Sequence, residues 1–130
     1  MPETIGAVVP RTRQHIGKLG EKIAETFLIS RGFLILDRNF STPFGEIDLI
    51  AEQNGYIVFL EVKTRISERF GPPLSSITRT KQRHILKNCQ FYLKRFGLYG
   101  RPCRIDAIAV SLDTRRELRA LKHVKNAIEL

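Results

Sequence analysis

Residues 45–65 read GEIDLIAEQNGYIVFLEVKTR, two alternating apolar runs joined at Asn54-Gly55, the pattern of a β-hairpin closed by a two-residue type I′ turn. A turn centred there opposes Gln53 with Tyr56, Ala51 with Val58, Leu49 with Leu60 and Ile47 with Val62, and this face is apolar along its length. The other face opposes Ile50 with Phe59, then Asp48 with Glu61, then Glu46 with Lys63. Both faces are apolar near the turn, so the hairpin is expected in the middle of a sheet covered on both sides.

The polar end needs its own account. Opposed carboxylates on one face have Cβ atoms ~5 Å apart, and such a like-charge pair destabilises a sheet. A raised carboxyl pKa, a neighbouring lysine or a bound cation would each offset the repulsion. Asp48 and Glu61 leave room for a hard divalent ion with oxygen ligands, to which the Val62 carbonyl offers a third. Lys63 follows Glu61 on the same face, placed to orient or deprotonate a water and to stabilise charge developing at phosphorus. A solvated polar hairpin end with a Glu46–Lys63 cross-strand pair explains the same residues without chemistry. A slip of one residue would also separate the two acids onto opposite faces.

Outward from the hairpin, residues 1–13 carry two prolines and no sustained period, the composition of a flexible N-terminal arm. Residues 14–130 are expected to form a single domain. From His15 to Arg31 the apolar residues Ile16, Leu19, Ile23, Ala24, Phe27 and Leu28 recur at helical spacing, with Gly32 as terminator. FLILDRNF at 33–40 predicts a strand, and STPFG the loop that leads into the hairpin. Beyond the hairpin, the paired prolines and glycine of ISERFGPPLSSI exclude regular structure across 71–73. A second helix is expected from Ser76 or Thr78 to Gly97, with Ile77, Ile85, Cys89, Tyr92, Leu93 and Phe96 mostly on one side and Arg79, Lys81, Arg83 and Lys87 on the other. CRIDAIAVSLD at 103–113 predicts a strand, and the remainder another strand followed by a short C-terminal turn. The fold class is α/β: a central mixed sheet of about five strands flanked by helices, in the order α-β-β-β-α-β-β. The first three strands suit an antiparallel meander, and the second helix the crossover to a parallel fourth.

The chain has 130 residues, 42% of them hydrophobic and 27% charged, which fits one compact domain with a real core. Its apolar runs fall far short of the ~20 residues that span a bilayer, and no signal-type segment opens it. The expectation is a protein of the cytoplasm with no membrane partner. Cys89 and Cys103 have neither CxxC spacing nor a zinc pattern with the three histidines, and they read as core or strand residues in a reducing compartment. The net charge of +9 favours a polyanionic partner through phosphate contact and counterion release. From Lys63 to Arg95 there are nine Lys or Arg against the single acid Glu68, whereas Gly45 to Val62 holds four acids and no base. Arg65, Arg69, Arg79, Lys81, Arg83 and Lys87 are the candidate nucleic-acid contacts, of the kind that position a backbone without reading sequence. Phe91 and Tyr92 read as core rather than base-stacking residues.

Asp48 followed by EVK at 61–63 resembles the core of the restriction-endonuclease-like superfamily, written PD-(D/E)xK, with a spacing similar to that of archaeal Holliday junction resolvases. The longer run of GEKIAETFLISRGF, GEIDLI, FLEVKTR and RIDAIAV resembles the YraN-type family of uncharacterised bacterial proteins, UPF0102, over most of the chain from about Gly17 to Leu130. The resemblance implies that Asp48 and Glu61 are metal ligands and Lys63 the catalytic lysine. It adds Glu25, on the first helix, as a further acidic residue of the site; by itself Glu25 would read as a solvated helix residue. Glu46 belongs to the family block and is expected to hold Lys63 rather than the ion. Ile47 stands where many of these nucleases carry the motif proline. The function so implied is a Mg²⁺- or Mn²⁺-dependent endonuclease for branched or structured DNA, and a resolvase that cuts two strands symmetrically works as a C₂ homodimer. The alternative is a non-catalytic nucleic-acid-binding module of the same fold.

Overall fold

The computed structural model describes residues 13–66 and 78–128. Helix α1 (Arg13–Ser30) leads into a meander of β1 (Leu34–Thr42), β2 (Gly45–Gln53) and β3 (Tyr56–Ile66); helix α2 (Arg79–Arg95) is followed by β4 (Cys103–Leu112) and β5 (Leu118–Ile128). The five strands form one sheet in sequence order. β1, β2 and β3 pair antiparallel, β4 lies parallel to β3, and β5 returns antiparallel to β4, the mixed topology expected. The expectations for residues 1–12, for Arg69, for the irregular stretch across 71–73 and for Ser76 and Ile77 lie outside the described residues.

Local signals set the ends of these elements. Gly32 (φ 88) ends α1, with the Phe33 N–H donating back to the Leu28 carbonyl at 3.0 Å, a turn that a side chain at the left-handed position would strain. Thr78 caps α2 by accepting the Lys81 N–H. Asn54 (φ 53) and Gly55 (φ 83) supply the left-handed pair of a type I′ turn. One boundary differs from expectation. β1 runs on through Ser41 and Thr42, which pair with Glu46 and Gly45, so the loop is shorter than STPFG. β5 continues to Ile128, which still pairs with Ile105; the turn expected after this strand lies outside the described residues.

The sheet is covered on both faces. Ala24 and Leu28 of α1 pack with Leu49, Ala51, Val58, Leu60, Ile108 and Val110. Cys89, Tyr92 and Leu93 of α2 pack with Ile50, Ile57, Phe59 and Ile105 on the opposite side. Tyr92 is buried and Phe91 half-buried, and Cys89 and Cys103 are free thiols in the second helix and fourth strand. Side chains such as Leu or Phe each contribute about 1.5–3 kcal/mol when fully buried, which makes this two-sided core the main source of stability. At Gly20, α1 approaches β3 so closely that an added Cβ would lie 1.7 Å from the Thr64 Oγ1. Among the described residues, no helix is long and apolar enough to cross a membrane.

Candidate active site at the fork of the sheet

The hairpin register holds from Gln53↔Tyr56 through Leu49↔Leu60 and there the β2–β3 ladder ends. Beyond it β2 stays with β1, Phe40 pairing with Ile47 and Ser41 with Glu46, while β3 stays with β4 as far as Ile66↔Leu112. The expected cross-strand pairs Asp48–Glu61, Ile47–Val62 and Glu46–Lys63 are therefore not ladder pairs: the sheet forks. Ile47 also leaves the face of Leu49 and Ala51 and packs on the α2 side with Ile50 and Phe59. In β1, the residue between the partners of Ile47 and Leu49 is Asn39, which takes the left-handed φ of 47.

The Asp48 carboxylate sits in the fork. Its Oδ2 accepts the Val62 N–H at 2.7 Å, so a side chain takes the place of the missing strand as acceptor. Burial, and then the neighbouring Glu61 charge, push the Asp48 carboxyl up to about 8, although the Val62 N–H pulls the other way. Burial also raises Glu61, against the opposing pull of Lys63 and Lys81. Lys63 is lowered from its ordinary value, first by the neighbouring Lys81 and then by burial, with Glu61 and Asp48 opposing. Lys81 belongs to the basic side of α2, so this side borders the carboxylates. Arg79, Arg83 and Lys87 of the same helix are exposed, and Arg65 lies two residues beyond Lys63 on β3.

The expected helical acid, Glu25, is engaged by β1. The Glu25 carboxylate is held bidentately by Arg38 of β1, at 2.6 Å from Nε and 2.8 Å from Nη2, and this pair holds Glu25 below the ordinary carboxyl range. With Glu21, Asn39 and Leu49 it lines one cavity beside the sheet. Glu21, one turn earlier, is the helical acid whose negative charge raises both Asp48 and Glu61. The Asn39 amide donates to Glu21 at 2.8 Å and to Glu46 at 3.2 Å, while its oxygen accepts from the Lys18 ammonium at 2.8 Å. Glu46 is thus tied to Asn39, rather than to Lys63 as expected. Two sequence signals could have marked Glu21: its place one turn before Glu25 on the flank of the apolar stripe, and the glycine before it, which lets that turn of α1 lie against β3.

Asp48 and Glu61 suit a hard divalent cation: both offer oxygen, both are half-buried, and burial and surrounding negative charge raise both carboxyls, a penalty on the charged forms that a cation would relieve. Among the described residues, no three His, Cys, Asp or Glu side chains stand together as a ready ligand cluster. Mg²⁺ is commonly held by one or two carboxylates with water and substrate phosphate completing its shell, and the pair with the Val62 carbonyl fits that mode.

A model of the uncharacterised protein family UPF0102 matches residues 20–110, which contain the fork, Glu21 and the basic helix. The chain belongs to this family. A UPF0102 protein of Moorella thermoacetica is 40% identical over 116 residues, covering 89% of this chain and 97% of that one. One from Renibacterium salmoninarum is 42% identical over 115 residues, covering 88% and 97% respectively. Among solved structures, Pyrococcus furiosus SfsA in complex with Ca²⁺ aligns with 90% of this chain and 65% of its own at 14% identity, with a TM-score of 0.39.

Proposed function

We propose that this UPF0102 protein is a divalent-metal-dependent nuclease that hydrolyses phosphodiester bonds in branched or otherwise structured DNA, acting in the cytoplasm. The observation that carries the reading is the fork: Asp48 bonded to the Val62 N–H, with the raised carboxyl of Glu61 and the lowered amine of Lys63 beside it. A sheet edge with no chemical role would place these groups in water, where their ordinary pKa values are kept.

Asp48 and Glu61, with Glu21 near them, would hold Mg²⁺ or Mn²⁺, which supplies Lewis-acid polarisation of the phosphoryl group. Lys63, its proton affinity reduced by Lys81 and burial, accepts a proton from the attacking water. The water oxygen forms its bond to phosphorus as the opposite P–O bond breaks. Lys81, Arg79, Arg83 and Lys87 neutralise backbone phosphates on the side of α2, contacts that fix position and carry strong salt dependence. The test is incubation of the purified protein with Mg²⁺ or Mn²⁺ and a panel of four-way junction, flap, single-stranded and duplex DNA. Cutting by wild type that is lost in Asp48→Ala supports the reading. No cutting of any substrate, or equal cutting by the variant, refutes it.

A further inference from the structure

The β1–β2 turn, Thr42-Pro43-Phe44-Gly45, is pinned at its base and apolar at its tip. The Thr42 hydroxyl donates to the Asn88 Oδ1 and accepts the Phe44 N–H at 3.0 Å. Asn88 is 4% exposed, within the buried side of α2. Gly45 (φ 140) lies beside that side chain, where an added Cβ would be in van der Waals contact, 3.4 Å from Asn88 Nδ2. These bonds fix the turn to the helix, yet the residue they present is a phenylalanine that is 45% exposed. Turns favour Gly, Pro, Asn, Asp and Ser for their backbone conformations and local hydrogen bonds, reasons that do not call for a phenylalanine; a half-exposed ring on a turn fixed in this way points to a ligand.

Two neighbours indicate its kind. The Lys87 ammonium stands 5.4 Å from the Phe44 ring centroid, on the basic side of α2, so the ring sits among cations that suit phosphates. The turn also runs directly into Glu46, and Glu46, Glu61 and the anchor Asn88 line one small cavity under α2, which joins the ring to the carboxylates through the same residue. Aromatic rings beside cationic grooves hold single-stranded nucleic acid by stacking, and a base inside an intact duplex is not available for it.

We propose that Phe44 is a base-stacking residue that receives an unpaired nucleobase of the DNA strand entering the fork, and so selects substrates with an open strand over uninterrupted duplex. The inference rests on the nuclease reading for its substrate, but its test requires no cutting. A splayed DNA carrying the fluorescent base 2-aminopurine in its unpaired arm is titrated with full-length protein in EDTA, beside a fully paired duplex of equal length. Wild type is expected to alter the 2-aminopurine emission through stacking. Phe44→Ala is expected to abolish that change and bind the splayed DNA about tenfold more weakly, the scale of one lost stack, while duplex affinity stays within about twofold. Phe44→Trp restores both signals. Unchanged splayed binding in Phe44→Ala, an equal loss on both DNAs, or failure of Phe44→Trp to restore the signal overturns the proposal, and so does a wild type that binds neither DNA. Stacking without cutting when Mg²⁺ is added refutes the nuclease reading alone; cutting with an unaffected Phe44→Ala refutes the stacking role alone.

Discussion

The Asp48 carboxylate accepts the Val62 N–H at 2.7 Å, immediately past the point where β2 and β3 cease to pair. One side chain thereby completes the backbone of the fork and places a half-buried acid inside it. Its carboxyl is raised from 3.8 to about 8, so the sign of the linkage follows: the folded state favours the protonated form, and stability falls as pH rises from roughly 4 through 8. Asp48→Asn keeps an oxygen for the Val62 N–H and removes the charge. It is expected to exceed wild type at pH 8 without divalent metal, by up to about 5 kcal/mol, with the difference shrinking toward pH 4. Urea unfolding at several pH values measures this; a difference independent of pH contradicts it.

Lys81 stands beside Lys63 and is the largest cause of its lowered pKa. If Lys63 takes the proton from water, the cleavage rate rises with pH along a limb below the lysine's ordinary 10.5. Lys81→Met is expected to move that limb to higher pH, and Lys63→Ala to remove it with a rate loss of about 10²–10⁴-fold. Single-turnover rates across pH test the assignment. A limb that stays in place in Lys81→Met would show that some other group titrates.

Gly20 lets α1 rest on β3: a Cβ there would lie 1.7 Å from Oγ1 and 2.6 Å from Cβ of Thr64. In an exposed helix, Gly→Ala gains roughly 1 kcal/mol of propensity, but overpacking of a tight interface costs about 1–3 kcal/mol, so Gly20→Ala is expected to destabilise. Because Glu21 is the next residue, the same variant should also weaken cleavage. Thermal unfolding reads the first effect, and a gain in Tm would contradict the packing seen.

Asp106 is fully buried in β4, where Arg104 reaches it at 3.0 Å, His123 at 2.8 Å and the Asn126 N–H at 2.9 Å. Burial works to raise its carboxyl, but His123, Arg104 and the Asn126 N–H together hold it below the ordinary range. Its contribution is therefore present above the unfolded carboxyl pKa of 3.8 and fades as pH falls below that value. Asp106→Ala strands the Arg104 charge and is expected to cost about 3–5 kcal/mol, a loss visible as a much lower urea midpoint at pH 7. A midpoint within about 0.5 kcal/mol of wild type would mean the network is replaceable by water.

The strand order and the register nearest the turn could be read from Asn54-Gly55 and the apolar alternation, since both are local rules that repeat along each strand. Those rules fail at the fork, because pairing arithmetic assumes that a ladder continues and does not anticipate a side chain acting as acceptor for Val62. What Glu25 meets was hidden for a related reason. Glu21 and Glu25 lie one turn apart on the same flank of α1, and what separates them is across the sheet: Arg38 takes Glu25, while Asn39, at its left-handed φ, takes Glu21. Helical periodicity contains neither strand. The basic side of α2 was legible because nothing in the fold had to reorder it.

The central claim is that the carboxylates gathered at the fork cut DNA with a divalent ion. Initial cleavage rates on a four-way junction in Mg²⁺, compared for wild type, Glu61→Gln and Glu25→Gln, test it most directly. Wild type is expected to cut, Glu61→Gln to cut at least about 100-fold more slowly, and Glu25→Gln to cut within a few-fold of wild type, since Glu25 is engaged by Arg38. Glu61→Gln cutting as fast as wild type would contradict it.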